Sequence, residues 1–445
     1  MYYGFDCQSS APLTDRNKGE SVQVVKFPFG DKFLELELDR EAEVLMPELV
    51  PAAPDKLAVI RQAIVQPIGC ERLAKLAKGK NSVAIVINDI TRPAPSEAML
   101  TVIMEELTEA GIDAANVTVI VAVGNHELPT PEELQAITGQ WYSRLKIVSH
   151  NCYDDSSLTY AGETPRHVPV YVNTQYAKAS LKILTGLITP HQSAGFSGGR
   201  KSVVPGIAGI KTIATHHSFP IRPEGPVMGI IQGNVFHQEA VAAARLAGAD
   251  FIVNVIKNYR GEVVEAVAGG LEQAHARGVE ICEKTWVRKF DAGYDVIFVS
   301  PGGYPKDIDL HQSQKAVSVA EQVVNPGGTI VLVAECRKGI GKFGATLKAA
   351  DSVETVIRNF YEQGFTAEGH TSKAYMFARV CKKCRVLVVT SGIEPGEVAE
   401  MFMTGFTSLA EAAAVALSNY RQPKILCIPY TGECIPVLTG SLVTA

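Results

Sequence analysis

Nowhere along the 445 residues do about 18 apolar residues stand together, so no segment has the length of a membrane-crossing helix. The opening MYYGFDCQSS has no basic head followed by an apolar run, and gives no sign of a secretory leader. Charge surplus is also lacking. With 42 basic and 47 acidic side chains the formal net charge is −5, and no global positive field exists to hold nucleic acid or an anionic membrane surface. Aromatic residues are only 7% and do not interleave with basic clusters in the way that stacks bases, so they are read as core. Short-period repeats, low-complexity tracts and long Pro/Ser linkers are absent. Nine cysteines (Cys7, Cys70, Cys152, Cys282, Cys336, Cys381, Cys384, Cys427, Cys434) are scattered and odd in number, which argues against a disulfide framework and for a reducing cytoplasm.

What is present is the balance of a globular chain: 46% hydrophobic and 20% charged residues. The length suggests more than one compact unit. Short β-branched runs at 83–87, 117–123, 181–184 and 251–256 recur between helical patterns in the first half. The second half repeats the style at 296–299, 329–333, 386–389 and 425–428, with helix-like segments such as 315–324 between. Continuously apolar strands imply sheets covered on both faces. The expected fold class is therefore α/β, with two domains of mostly parallel sheet flanked by helices and the active site in the cleft where they meet. A helical pattern at 270–286 precedes a new strand, which places the boundary between domains 1–288 and 289–445. A hairpin is expected at 22–27 and 33–38 around Gly30 and Asp31.

Reactive side chains follow directly after the expected strands, where open α/β sheets hold their ligands. Asp89 and Arg92 lie in NDITRP after the first strand; an anion clamp and a structural Asp–Arg pair are equally good readings. His126 lies in GNHELPT after the second, where a turn-capping histidine is commoner than a catalytic one. The segment TPHQSAGFSGGRKS joins His191 to Lys201 through three glycines, among them Gly198 and Gly199, a composition that can form an anion nest. It is not a P-loop, because Arg200 stands where that motif needs glycine before the lysine. His216 and His217 lie downstream; either imidazole can bind a transition metal, while a surface pair is the blander reading. Closely spaced zinc ligands such as H-E-x-x-H are absent, so a metal here would need ligands that the protein does not supply. In the second half, Gln312 and Lys315 stand three apart at a helix start, on one face if the helix has begun. Cys381 and Cys384 form a lone CxxC of incidental spacing.

Taken in order, DITRP, GNH, HQSAGFSGGRK, His217 and QSQK resemble the nickel-pincer lactate racemase family across most of the chain. H-x-x-A-G-F-S-G-G-x-K is the most specific part. The resemblance implies a racemase or epimerase that inverts C2 of a 2-hydroxy acid by reversible hydride transfer to a nickel-pincer nucleotide, through a 2-keto acid. Position by position it implies Lys201 as the cofactor tether, His217 as the nickel ligand with His216 the neighbouring candidate, and His126 and His191 as the paired acid/base residues. Arg92, Gln312 and Lys315 would hold the substrate, Asp89 would orient the cofactor or Arg92, and Gly198 and Gly199 would line the cofactor. Partners would be the small hydroxy acid and the proteins that build the cofactor. The chain departs from the family at His311, where a tyrosine is expected beside the Gln-x-x-Lys motif, so the hydroxy acid stays open among lactate, malate, longer acids and sugar acids. The competing readings are a metal- or phosphate-dependent enzyme of another reaction type and a non-catalytic hydroxy-acid sensor on the same scaffold.

Overall fold

The computed structural model describes residues 14–16, 22–366 and 371–439; Cys7 and the opening ten residues lie outside this set. The chain forms two compact units. One comprises Leu49–Pro223 and Gly229–Thr285, and the other the remainder, including the described residues up to Glu48 and from Trp286 onward.

In the first unit, six strands lie in the spatial order Val263–Gly269, Phe251–Lys257, Leu181–Ile188, Val83–Asn88, Val117–Ala122, Lys146–Ser149. All pair in parallel except the first, which runs antiparallel along one edge. The inner strands read VAIVIN, VTVIVA and FIVNVIK and are buried almost throughout, as a sheet covered on both faces requires. Helix Ser96–Glu109 presents Met99, Leu100, Val102, Ile103 and Leu107 to that sheet at helical spacing.

The second unit holds another six-stranded sheet, ordered Thr404–Phe406, Arg385–Val389, Val324–Val333, Tyr294–Val299, Ile425–Ile428, Glu43–Val44, with every pairing parallel. The early hairpin forms from Gln23–Phe29 and Lys32–Leu38, and Gly30 takes φ +56° at the first of two turn residues, where a side chain would be strained. Its apolar face (Val25, Phe27, Phe29, Leu36, Leu38) packs on the second unit's sheet. The helix expected at 315–324 instead runs Leu310–Glu321: the Asp309 carboxylate accepts the Gln312 N–H and starts it early, and the β-branched Val323-Val324 opens the following strand.

The eight described cysteines are all free thiols. Burial pushes the Cys381 and Cys384 thiols up to about 12, which leaves the lone CxxC unreactive at neutral pH. Among the described residues no helix is long and apolar enough to cross a membrane.

Candidate active site

The strand order of the first unit reverses direction at Val83–Asn88. From there the chain steps outward through Val117–Ala122 and Lys146–Ser149, then returns to place Leu181–Ile188 on the other side. Loops leaving the carboxyl ends of strands at such a reversal converge on a crevice. Here they enclose a cavity of about 180 Å³ whose wall includes Asp89, Arg92, His126, His191, Lys201 and His217. Asn88 and Asp89 also line a neighbouring cavity of about 480 Å³ at the start of helix Ser96–Glu109.

Asp89 is 4% exposed. Its carboxylate accepts the Thr91 hydroxyl at 2.7 Å and lies 2.9 Å from His126 Nδ1. Burial pushes this carboxyl up, but the hydrogen bonds from His126 and Thr91, with the charges of His126 and Arg92, outweigh it and hold it below the ordinary carboxylate range. An ionised carboxylate only accepts, so His126 carries a proton on Nδ1, and its neutral form keeps its lone pair on Nε2. Gly124 (φ +60°) turns the chain just before this histidine, whose own N–H donates to Val123 O. Arg92 is exposed and donates to Thr91 O and Oγ1, both at 3.1 Å.

His191 ends in a different arrangement. It pairs across a two-residue ladder with Gly195, and its Nδ1 accepts the N–H groups of Ser193 and Ala194, each at 3.2 Å. Burial, then the charges of Lys201, Arg92, Arg200 and His217, keep this imidazole well below its usual value. Lys201 follows on the turn Gly199–Ser202, with Nζ 5.5 Å from the centre of the Phe236 ring. Burial, and after it the guanidinium charges of Arg200 and Arg92, lower its amine to about 7.

The two adjacent histidines divide cleanly. His217 lines the cavity, and its Nδ1 donates to Ile213 O at 2.9 Å, which puts its lone pair on Nε2. His216 is fully buried and spends Nε2–H on Phe236 O. An imidazole held by a backbone carbonyl through one nitrogen is oriented as metal-binding histidines usually are. Among the described residues no three His, Cys, Asp or Glu side chains converge on one point, so this donor set suits a metal that brings most of its own ligands.

Gly198 lines the cavity, whereas the Gly199 N–H is committed to Asn254 Oδ1 at 2.7 Å. Gln312 and Lys315 belong to the second unit, side by side on one helix, with Lys315 Nζ donating to Gln312 Oε1 at 3.2 Å.

Sequence reasoning passed over Arg200, noted only as the residue that spoils a P-loop. It is 1% exposed and donates to the carbonyls of Ala194, Phe196, Ser197 and Gly198, with His275 Nε2 at 2.6 Å. The signal was an arginine in a stretch, 189–202, that contains no acidic residue: once buried, it has no carboxylate close in sequence and must find neutral acceptors. Thr91 and Asn254 were missed too, because a hydroxyl and an amide that steady other groups carry no motif.

Gly195 fixes the same loop by its lack of a side chain. It sits at φ +72°, and a Cβ there would lie 2.2 Å from Ile230 O. Gly195→Ala is expected to destabilise the unit by about 3 kcal/mol, through left-handed strain plus a clash with backbone that cannot yield. Urea unfolding of the variant checks this, and an unchanged midpoint would show that the loop can shift.

Family models of the lactate racemase N-terminal domain and C-terminal domain match residues 29–228 and 290–435. The chain belongs to the lactate racemase family. It is an isomerase of the racemase class, as its motifs led us to expect. A lactate racemase of Thermoanaerobacterium thermosaccharolyticum is 32% identical over 366 residues, 81% of this chain and 85% of that one. Another, from Lactiplantibacillus plantarum, is 33% identical over 380 residues, 83% and 88% of the two chains. The fold agrees with the solved lactate racemase apoprotein of T. thermosaccharolyticum: TM-score 0.83 at 29% identity, covering 93% of this chain and 99% of that one. A Thermotoga maritima protein shares the fold alone, with a TM-score of 0.61 at 17% identity.

Proposed function

We propose that the protein interconverts the C2 stereoisomers of a short 2-hydroxy acid of the lactate type, with a nickel-pincer nucleotide as its cofactor. The observation that carries this is the gathering of His126, His191, Lys201 and His217 on one cavity wall from three separate loops. Asn88 Oδ1, in the same wall, is buried with no partner among the described residues, an acceptor suited to a ligand hydroxyl such as that of a ribose.

Inverting C2 by proton abstraction is hard, because the neighbouring carboxylate is already anionic and stabilises a carbanion poorly. When bound, the cofactor supplies a centre that takes and returns hydride, which avoids the carbanion. Lys201 would hold it as a thioamide tether and His217 as a nickel ligand. The chain's own task is then the hydroxyl proton. His126 and His191 handle it, while Arg92, Gln312 and Lys315 grip the carboxylate with charge-assisted hydrogen bonds. Asp89 orients His126, its partner at 2.9 Å, from the same cavity wall. In the second unit His311 precedes Gln312 and packs 5.8 Å, centre to centre, from Phe343. A polar ring beside the substrate grip leaves room for hydroxy acids more polar than lactate. Proteins that build the cofactor would be its cellular partners.

The test is to load purified protein with the pincer nucleotide, count nickel, locate the mass increment by peptide mapping, and follow each enantiomer of a 2-hydroxy acid panel by chiral chromatography. One nickel per chain, an increment at Lys201 and interconversion of at least one pair are expected. A loaded protein that interconverts none of them would sink the proposal. Binding without turnover would favour a sensor, and a zinc-dependent activity without the nucleotide would favour another reaction type.

A further inference from the structure

Strand Phe251–Lys257 is buried as far as Ile256, and Asn254 is the polar residue in that run, an amide with 0% of its surface exposed. Burying an amide is costly unless its oxygen and its NH₂ both find partners. The oxygen has one: Oδ1 accepts the Gly199 N–H at 2.7 Å. A backbone N–H only donates, so the oxygen must face the turn and the NH₂ must face away from it. Glycine lets the turn come this close. Gly198 and Gly199 hold φ +80° and +49°, and a Cβ on Gly198 would stand 2.4 Å from the same oxygen.

Gly186 lies opposite Asn254 in the neighbouring parallel strand. On its other side, Gly186 and Asn88 each stand two residues beyond the Leu184–Val86 pair. Side chains alternate along a strand, so Asn88, Gly186 and Asn254 make one row on one face of the sheet. Asn254 Nδ2, a donor, and Asn88 Oδ1, an acceptor, are buried with no partner among the described residues. The place that a Cβ on Gly186 would take is 3.8 Å from the first, 3.2 Å from the second and 3.7 Å from Ser202 Oγ, whose own hydrogen goes to Thr185 O. A water has the matching set of bonds: it accepts from Asn254 Nδ2 and donates to Asn88 Oδ1 and Ser202 Oγ.

We infer that this row is a buried water site and that Asn254, held by it, is a positioning residue for Lys201. The second half rests on the reading above, that Lys201 is the cofactor tether. With the water on one end of its amide and Gly199 on the other, Asn254 cannot rotate. The turn Gly199–Ser202 is then fixed to the sheet at both ends, at Gly199 by Asn254 and at Ser202 by Thr185 O, and Lys201 stands between those anchors. A tether has to present its amine at one place, and a turn pinned to a rigid sheet does so. Asn88 Oδ1 has a second lone pair, which stays available to a ligand hydroxyl from the cavity.

A crystal structure of the cofactor-free protein should show a water within hydrogen-bond reach of all three atoms; no water there would overturn the inference. Gly186→Ser, whose hydroxyl can take the water's place, should melt above Gly186→Ala, whose methyl replaces none of its bonds, and the reverse order would count equally against the site. Position is separated from stability by Asn254→Val, which removes the amide, and Val253→Ala, which weakens the same strand in the core on its other face. In cofactor-free protein the Gly199 amide should exchange its hydrogen at least about tenfold faster in Asn254→Val, the size of one lost hydrogen bond, and within about twofold of the parent in Val253→Ala. Incubated with the pincer nucleotide, Asn254→Val should gain mass at Lys201 at least about tenfold more slowly than the parent, and Val253→Ala at the parent rate. Asn254→Asp keeps an oxygen for the Gly199 N–H and should load within about threefold of the parent. Equal loading of Asn254→Val and Val253→Ala would refute the positioning role. If the parent itself gains no mass at Lys201, the tether reading fails and the role of Asn254 fails with it, whereas the water and the exchange rates are read without the cofactor.

Discussion

Arg200→Met is expected to lower the melting temperature of the first unit by about 10 °C. The guanidinium holds four backbone carbonyls of the loop 194–198 at distances from 2.7 to 3.1 Å. Hydrogen bonds to a charged group contribute roughly 1.5–3 kcal/mol each. Against them stands the cost of burying a cation with no carboxylate partner, which lowers its ionisation to about 9, a penalty of about 5 kcal/mol. The carbonyls win by a few kcal/mol. Methionine keeps most of the volume and removes the burial penalty, but leaves those oxygens unpaired in a tight apolar site. A net loss of about 3–4 kcal/mol, at roughly 2–4 °C per kcal/mol for a unit of this size, gives the stated shift. Arg200→Lys should fall between, since an ammonium has only three N–H bonds for four carbonyls. Differential scanning calorimetry of the three proteins decides it; a methionine variant melting within about 2 °C of the parent would mean the turn holds itself.

The legible parts of the fold were those with uniform composition. Strands such as Val83–Asn88 and Ile425–Ile428 declare themselves because a strand buried on both faces must be apolar without interruption. Strands at sheet edges did not. Lys146–Ser149 is short and half-exposed, Val263–Gly269 mixes an exposed Glu265 among small residues, and the two residues Glu43–Val44 that finish the second sheet are too few to form a pattern. The site divided along the same lines. Loops after apolar strands could be found from the strands themselves, and His126, His191 and Lys201 with them. The Asp89–His126 contact could not, because 37 residues separate its members and only the parallel pairing of Val83–Asn88 with Val117–Ala122 brings their loops side by side. The Gly-rich turn shows how one composition admits two structures. Three glycines fit an anion nest, yet the Gly199 N–H is taken by Asn254, a residue from a strand that sequence spacing could not connect to it.

Lys201 should acylate with an apparent midpoint near pH 7, far below an ordinary lysine. Burial is the larger cause, and the guanidinium charges of Arg200 and Arg92 add to it, bringing the amine to about 7. A lowered value favours the neutral amine, so the nucleophilic form predominates above pH 7 and falls about tenfold for each pH unit below it. Protein without cofactor, trace-labelled with acetic anhydride between pH 5 and 10 and mapped by mass spectrometry, gives the midpoint for each lysine separately. A free lysine side chain in a model peptide titrates near about 10.4, which sets the comparison. Arg92→Gln removes one like charge at the cavity wall and should move the Lys201 midpoint upward; because Arg92 is exposed, fold and melting temperature should be unchanged. Lys201→Ala should abolish the mass increment on cofactor loading and lower turnover by at least about 10²-fold, since a ligand no longer tethered must be positioned by weaker contacts. A Lys201 midpoint near 10 would remove the physical reason for a tether here, whatever the family to which the chain belongs.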